Sequence, residues 1–263
     1  MHNELIKYPR TRHIIGSRLQ TGDEDLKDIP FEQIKGKYVV LEEKIDGANS
    51  GISFSAQGEL FLQSRGHFLT DDKSEQQFQL LKTWANRFKE VLYALLGSRY
   101  IMYGEWMYAK HTVYYDRLPH YFMEFDIYDK HEKQFLSTQA RRKMLEAYPF
   151  IHSVRVLYEG EIEKIETIKN LITPSTFISD KVAQCLKEAC EKQKLDFLKI
   201  EREADLTGIM EGIYIKVENA YSVSERYKFV RDSFKTQVAD SETHWLDHPI
   251  IKNQLEDSVN LFE

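Results

Sequence analysis

Tyr38-Val39-Val40-Leu41-Glu42-Glu43-Lys44-Ile45-Asp46-Gly47-Ala48-Asn49 is the stretch from which the rest of the chain is read. Tyr38 to Glu43 is apolar and β-branched and runs into a glycine-containing turn, which predicts a strand. Gly51 to Ser55 and Glu59 to Ser64 predict two more, joined at Gln57-Gly58. Lys44, at the end of the first strand and beside Asp46-Gly47, is a candidate nucleophile. A free lysine has a pKa of about 10.4 and is almost wholly protonated near neutral pH. That reading therefore needs neighbouring cations or desolvation to expose the nitrogen lone pair. A lysine next to Asp-Gly is also common in surface turns, so Lys44 alone decides nothing.

Further along, Phe78, Leu81, Ala85, Phe88, Leu92 and Leu95 recur at three- and four-residue steps. They predict one long helix, starting near Thr70 or Asp71 and ending at Gly97. Strands are predicted at Tyr100 to Gly104, Tyr121 to Tyr128 and Val154 to Tyr158, and helices at 138–147, 161–172 and 180–198. Glu211 to Glu218 alternates, with Ile213 and Ile215 facing one way and Tyr214 and Lys216 the other. Arg226 to Arg231 is the last strand candidate, and the final thirty residues are polar and weakly periodic. With no linker to divide it, the chain is expected to form a single domain over 1–263, with a core at about 8–235 and a C-terminal tail at 236–263. Neighbouring strands with separate helices predict an α+β fold built on mainly antiparallel sheets flanked by helices.

The 263 residues suit one large domain, and 42% hydrophobic with 30% charged residues is a soluble globular balance. No apolar run is long enough to span a membrane, and the first residues lack a secretory signal pattern. Cys185 and Cys190 lie in a predicted helix and are expected to be reduced, which makes the cytoplasm the default location. A net charge of −6 argues mildly against nucleic-acid binding. Its distribution matters more. Lys7, Arg10, Arg12 and Arg18 stand against Glu4, and Arg226, Lys228, Arg231 and Lys235 against Asp232. These are two basic patches or two solvated faces.

Five further motifs follow in order: Ser64-Arg65-Gly66, Tyr103-Gly104-Glu105-Trp106, Tyr121-Phe122-Met123-Glu124-Phe125-Asp126-Ile127, Glu211-Gly212-Ile213-Tyr214-Ile215-Lys216 and Arg226-Tyr227-Lys228. Singly, Arg65 and Glu105 read as surface charges, Phe122 and Phe125 as core aromatics, and Lys228 as a solvated cation. As an ordered set with Lys44-Ile45-Asp46-Gly47, they resemble the nucleotidyltransferase motifs of ATP-dependent ligases and mRNA capping enzymes. The set is most similar to the RNA ligase 2 family, over about residues 8 to 235. The segment from Tyr108-Ala109-Lys110-His111-Thr112-Val113 to Phe122 resembles RNA rather than DNA ligases.

The resemblance implies a nucleotidyltransferase (adenylation) domain, ATP with Mg²⁺ or Mn²⁺ as cofactors, and catalytic roles for Lys44, Glu211, Arg226 and Lys228. Lys44 would carry AMP. Lys228, with Arg226 beside it, would bind the α-phosphate and stabilise its developing charge, and Lys228 with the metal would lower the Lys44 pKa. Glu211 would hold the metal. The cofactor-binding set would be Glu43, Asn49, Arg65, Glu105, Phe122 and Lys228. In it Glu43 reads the adenine amine, Asn49 touches the hydrated metal or the ribose, Arg65 and Glu105 contact the ribose and each other, and Phe122 stacks on adenine. Ile213 or Val39 would line the pocket.

Two departures stand out. The relatives' Lys-x-Lys is here Arg226-Tyr227-Lys228, and only 35 residues follow Lys228, too few for a C-terminal OB domain. The implied partners are RNA ends in a nicked duplex RNA or RNA–DNA hybrid, with a possible end-processing kinase or phosphatase and no membrane. A small DNA ligase, a capping-type guanylyltransferase and a degenerate nucleotide-binding module are the rival readings.

Overall fold

Residues 4–19, 22–23, 25–70, 73–235 and 249–263 are described by the computed structural model. The strands are β1 (Arg12–His13), β2 (Tyr38–Lys44), β3 (Ala48–Phe54), β4 (Leu60–Ser64), β5 (Tyr100–Trp106), β6 (Phe122–Asp129), β7 (Gln134–Leu136), β8 (His152–Ser153), β9 (Val156–Glu161), β10 (Gly212–Glu218) and β11 (Ser222–Val230). The helices are α1 (Gln79–Arg87), α2 (Lys89–Leu96), α3 (Thr138–Leu145), α4 (Ile165–Asn170), α5 (Val182–Gln193) and α6 (Phe197–Glu203). The strands join in the order β4-β3-β5-β6-β7-β11-β10-β2-β9, every neighbour antiparallel. The short strands β1 and β8 pair in parallel with β11 and β6. The expected α+β fold, an antiparallel sheet flanked by helices, is what the chain adopts.

Apolar residues divide into two main cores. One packs α1 and α2, through Leu81, Trp84, Leu92 and Leu96, onto Ile52, Met102, Trp106 and Phe122. The other gathers Val39, Leu41, Ile213, Ile215, Tyr227 and Phe229 behind β2, β10 and β11. The alternation read at Ile213 and Ile215 therefore marks a genuinely buried face.

Local chemistry accounts for the differences from the expected elements. The single long helix is two helices, because Phe88 leaves the helical region (φ −99°, ψ 15°) to serve both as cap of α1 and start of α2. The predicted helix 180–198 likewise ends at Lys194, which adopts a left-handed conformation (φ 57°), and Asp196 caps a separate α6 through its side chain. Residue 161 belongs to β9 rather than to a helix. Asp71 lies outside the described residues. Cys185 and Cys190 are both free thiols. Among the described residues no helix is long and apolar enough to cross a membrane.

The stretch expected to be a tail divides in two: 236–248 lies outside the described residues, and 249–263 packs onto the body. Asn253 is completely buried. Its side-chain oxygen accepts from the Tyr115 amide at 2.9 Å, and its amide group donates to the Met107 carbonyl at 2.7 Å. Isolated bridges pair Ala109 with Lys252 and Leu118 with Leu255. The segment straps down the loop between β5 and β6.

Candidate active site

The last residue of β2 is Lys44, and β2 lies against β10 in a register that pairs Lys44 with Gly212. Glu211 is thereby placed next to the lysine, and Lys44 Nζ lies 2.7 Å from Glu211 Oε1. Glu211 is fully buried. The lysine faces a cavity of about 650 Å³ whose lining includes Glu43, Asp46, Asn49, Arg65, Glu105 and Lys228. Glu211 is not part of that lining. The Lys44 ammonium covers its carboxylate as a cation would.

The turn after Lys44 is fixed by its own side chain. Asp46 accepts from the backbone amides of Thr112 (2.7 Å) and Val113 (3.0 Å), and its own amide donates to the Tyr115 hydroxyl at 2.9 Å. Gly47 is needed for close approach: a Cβ there would sit 2.7 Å from Met107 Sδ and 2.8 Å from the Trp106 carbonyl oxygen. The Gly47 amide donates to Glu105 Oε1 at 3.2 Å. The Asp-Gly pair thus works as an anchor that ties the Lys44 turn to β5 and to the strapped loop.

Charge in the cavity is tightly coupled. Burial opposes the Lys44 ammonium, but Glu211 first, then Asp46 and Glu105, outweigh it and hold the pKa above the usual lysine range. Three carboxylates act on Lys44, and the charge of Lys228 alone does not overcome them. Burial lowers Lys228, Asp23 opposes that, and the Lys44 charge adds to the lowering. Burial pushes Glu105 up to about 7, against the pull of Lys44 and Arg65. Burial also raises Glu43, with a Ser175 hydrogen bond and Arg155 acting the other way.

The structure brings Lys44, Glu43, Asn49, Arg65, Glu105 and Lys228 to one cavity, with Arg65 exposed at its rim. It removes two residues from the expected contacts. Phe122 is fully buried, stacked on Trp84 at 5.7 Å, and absent from the cavity lining. Gly104 makes room for its ring, which would lie 2.6 Å from a Cβ there. The Phe122 ring thus faces Trp84 rather than the cavity. Phe125, three residues on in the same motif, does line the cavity. Arg226 does not reach the cavity either. Its guanidinium lies 3.3 Å from Asp126 Oδ2 and 3.9 Å from the centre of the Phe135 ring. Val39 and Ile213 belong to the core behind the sheet rather than to the cavity wall.

Neither basic stretch forms a continuous surface patch. Lys228 is ion-paired with Asp23, Arg231 with Asp205 at 2.6 Å, and Lys235 donates to the Ala204 carbonyl at 2.8 Å. At the N-terminus, Arg10 pairs with Asp25 at 2.7 Å and lines the cavity, and Arg12 stacks over Tyr227 at 5.6 Å. Tyr8, Arg10, Thr11, Gly22 and Asp23 form one wall of the cavity. No motif pointed to Tyr8 or Asp23, because each meets its partner far along the chain, Tyr8 at Asp126 and Asp23 at Lys228.

Oxygen donors suit a hard cation here. Asn49 Oδ1 is buried without a hydrogen-bond partner in the wall of the same cavity, and the Glu211 carboxylate already holds one cation, the Lys44 ammonium. Among the described residues no three His, Cys, Asp or Glu side chains form a metal cluster. Mg²⁺ needs none, since it commonly takes one or two carboxylates with waters and substrate phosphates.

The family model for RNA ligase matches residues 37–236. The chain belongs to the RNA ligase family. A solved structure with a TM-score of 0.50 agrees at the level of the fold. A lysine-to-alanine variant of the Naegleria gruberi RNA ligase, with ATP and Mn, is 15% identical, with a TM-score of 0.50 over 86% of this chain and 61% of that one. An archaeal ATP-dependent RNA ligase is 18% identical, with a TM-score of 0.47 over 85% of this chain and 48% of that one. The chain thus spans about three fifths of the Naegleria protein. No curated protein matches it in sequence.

Proposed function

We propose that this RNA ligase family member is an ATP-dependent RNA ligase that adenylylates itself on Lys44, passes the AMP to a 5′-phosphate and joins that end to a 3′-hydroxyl. The observation that carries the reading is Lys44 itself: a half-buried lysine, 2.7 Å from Glu211, facing a nucleotide-sized cavity that also presents Lys228, Glu105 and Asn49.

In the first step the Lys44 nitrogen attacks the α-phosphorus, the bond from that phosphorus to the bridging oxygen breaks, and pyrophosphate leaves. An ammonium has no lone pair, so Lys44 must first lose its proton and its contact with Glu211. Lys228 favours that loss, because like charge destabilises the ammonium, and it is placed to stabilise negative charge on the α-phosphate oxygens. A divalent cation held by Glu211 and Asn49 would supply further charge neutralisation on the phosphate. Glu43 carries a buried side-chain oxygen, Oε2, without a hydrogen-bond partner. That oxygen suits the amino group of adenine and leaves two acceptors opposed if guanine enters, which costs roughly 1–3 kcal/mol. In the later steps both ends are held by positioning and charge. The proposed substrate is broken RNA, as a nicked duplex or hybrid, with ends made by a separate kinase or phosphatase, and the proposed role is RNA repair.

Intact-mass measurement after incubation with ATP and Mg²⁺ tests the reading. The wild type should gain one AMP, with GTP giving far less, and Lys44→Ala should gain none. An adduct on Lys44→Ala, or equal yields from ATP and GTP, would overturn the corresponding assignment. Sealing of nicked RNA duplexes tests the later steps.

A further inference from the structure

Lys228 is held by a carboxylate that comes from far away in sequence. Asp23 Oδ2 is ion-paired with Lys228 Nζ and lies 3.3 Å from His13 Nε2, and Asp23 Oδ1 lies 3.6 Å from Arg10 Nη2. Asp23 and Lys228 are both largely buried, and His13 is completely so. Strand β1 brings this group together: it runs parallel to β11 with His13 paired to Lys228, which sets His13 directly beside the lysine. Asp23, Arg10 and Lys228 all line the cavity that Lys44 faces.

Three nitrogen groups converging on one carboxylate form an anion site, and a carboxylate oxygen is a fair mimic of a phosphate oxygen. Arg10, His13 and Asp23 stand 21 residues or more upstream of Lys44 and lie outside the span matched to the family, 37–236, whereas Lys228 lies within it. We infer that Arg10 and Lys228 form a cradle for the terminal phosphates of the nucleotide and for the departing pyrophosphate, and that Asp23, backed by the buried His13, occupies this cradle until a polyphosphate displaces it. Resting on the reading of Lys44 as the site of nucleotidyl transfer, this adds the residues that hold the leaving group. Arg10 offers a planar fork suited to phosphate, held in the free protein by the exposed Asp25 at 2.7 and 2.8 Å, which a polyphosphate would also displace. The Asp23 side chain neutralises the largely buried Lys228 in the free protein and competes with the incoming ligand. A ligand that must displace an internal competitor binds more weakly by the fraction of open sites.

The test is calorimetric titration of full-length protein with inorganic pyrophosphate, and separately with adenosine, for wild type, Asp23→Asn and Arg10→Gln. Asp23→Asn keeps the shape of the side chain and removes its charge. It should bind pyrophosphate at least about fivefold more tightly with adenosine affinity unchanged, whereas Arg10→Gln should bind pyrophosphate about tenfold more weakly. Thermal melting of each variant shows whether it is folded. Arg10 is partly exposed, so its variant gives an answer even if Asp23→Asn fails to fold. Equal pyrophosphate affinity in wild type and Asp23→Asn, including no measurable binding by either, overturns the inference. So does a parallel gain for pyrophosphate and adenosine, or an Arg10→Gln protein that binds pyrophosphate as the wild type does. A protein that gains no AMP from ATP yet shows the pyrophosphate effects keeps the cradle and loses the ligase reading. A protein that is adenylylated without those effects keeps the reading and loses the cradle.

Discussion

The same three strands carry two charged clusters, two to five residues apart along each strand, and the clusters differ in what their charges are free to do. The deeper one contains Glu42 of β2, Lys216 of β10 and Arg226 of β11, joined by Glu124, Asp126 and Arg141. Lys216 sits 2.8 Å from Glu42 and 3.3 Å from Asp126, and Arg141 sits 2.7 Å from Glu42 and 2.8 Å from Glu124. Three carboxylates face three cations, with Phe135 and Tyr8 lying over Arg226, and of the six only Glu42 lines the cavity. The shallower one contains Lys44 of β2, Glu211 at the start of β10 and Lys228 of β11, and it opens on the cavity. Two residues along one face of a strand separate Glu42 from Lys44 and Arg226 from Lys228. Depth, not residue type, decides which charge is locked and which can meet a ligand.

The largest effect should come from opening the locked cluster. Arg141→Met leaves Glu42 and Glu124 buried without their shared cation, and removing one partner of a buried pair costs about 3–5 kcal/mol. Lys44→Ala, in the open cluster, should cost less than Arg141→Met, because it strips one buried carboxylate rather than two and the Lys228 charge still acts on Glu211. Urea denaturation of both variants measures the contrast. A loss for Lys44→Ala as large as that for Arg141→Met would show that the two clusters are one structural unit.

The aromatic pair repeats the comparison on β6. Phe122→Ala removes a fully buried ring between Trp84 and Gly104 and should cost about 3–5 kcal/mol. Phe125→Ala should cost less stability and raise the ATP concentration needed for half-maximal adduct formation. If Phe122→Leu, which keeps the core filled, weakens ATP use while Phe125→Leu does not, adenine stacking returns to Phe122.

Much of this was legible in the sequence, and the limits have physical causes. Period-two alternation located β10, and an apolar, β-branched run before a glycine turn located β2, which is buried on both faces. The motif residues Lys44, Glu43, Asn49, Arg65, Glu105 and Lys228 do meet at one cavity. Motif matching could not separate Arg226 from Lys228, nor Phe122 from Phe125, since both members of each pair sit in the same short motif. The separation comes from the third dimension: Asp126 and Phe135 capture Arg226, and a missing side chain at Gly104 admits Phe122. Asp23 and Asn253 carried no local signal at all, being joined to their partners across 205 and 138 residues.

A smaller effect should separate the clusters by pH. Burial raises Glu105 to about 7 in the folded chain, from an ordinary value of about 4.5. The folded state therefore binds a proton that the unfolded state has already lost. Glu105 contributes full stability below about pH 4.5, and that contribution is lost as the pH rises through about 7. A shift of this size corresponds to a few kcal/mol, reduced by the partial exposure of the group to roughly 1–2 kcal/mol. Denaturation at pH 5 and pH 8 should show wild type losing stability relative to Glu105→Gln across that interval. A constant difference between the two proteins would mean that Glu105 is ionised throughout.

The finest test is Arg226→Lys, which installs the Lys-x-Lys pattern of the relatives at residues 226 and 228. If the locked cluster is structural, the substitution keeps the charge facing Asp126 and loses the planar contact with Phe135, a cation–π geometry at 3.9 Å. A desolvated contact of this kind contributes about 1–2 kcal/mol, and a lysine retains part of it. The expected result is a loss of about 1 kcal/mol in urea denaturation with an unchanged rate of AMP adduct formation per folded molecule. If Arg226 instead touched phosphate, the result would invert: stability would hold, and adduct formation would change by about tenfold or more, because losing a charge-assisted contact to a transition-state oxygen raises the barrier by about 1.4 kcal/mol or more. Single-turnover adenylylation measured beside the denaturation curve separates the two. An altered rate with unaltered stability would move Arg226 from the locked cluster to the open one and erase the boundary that depth draws between them.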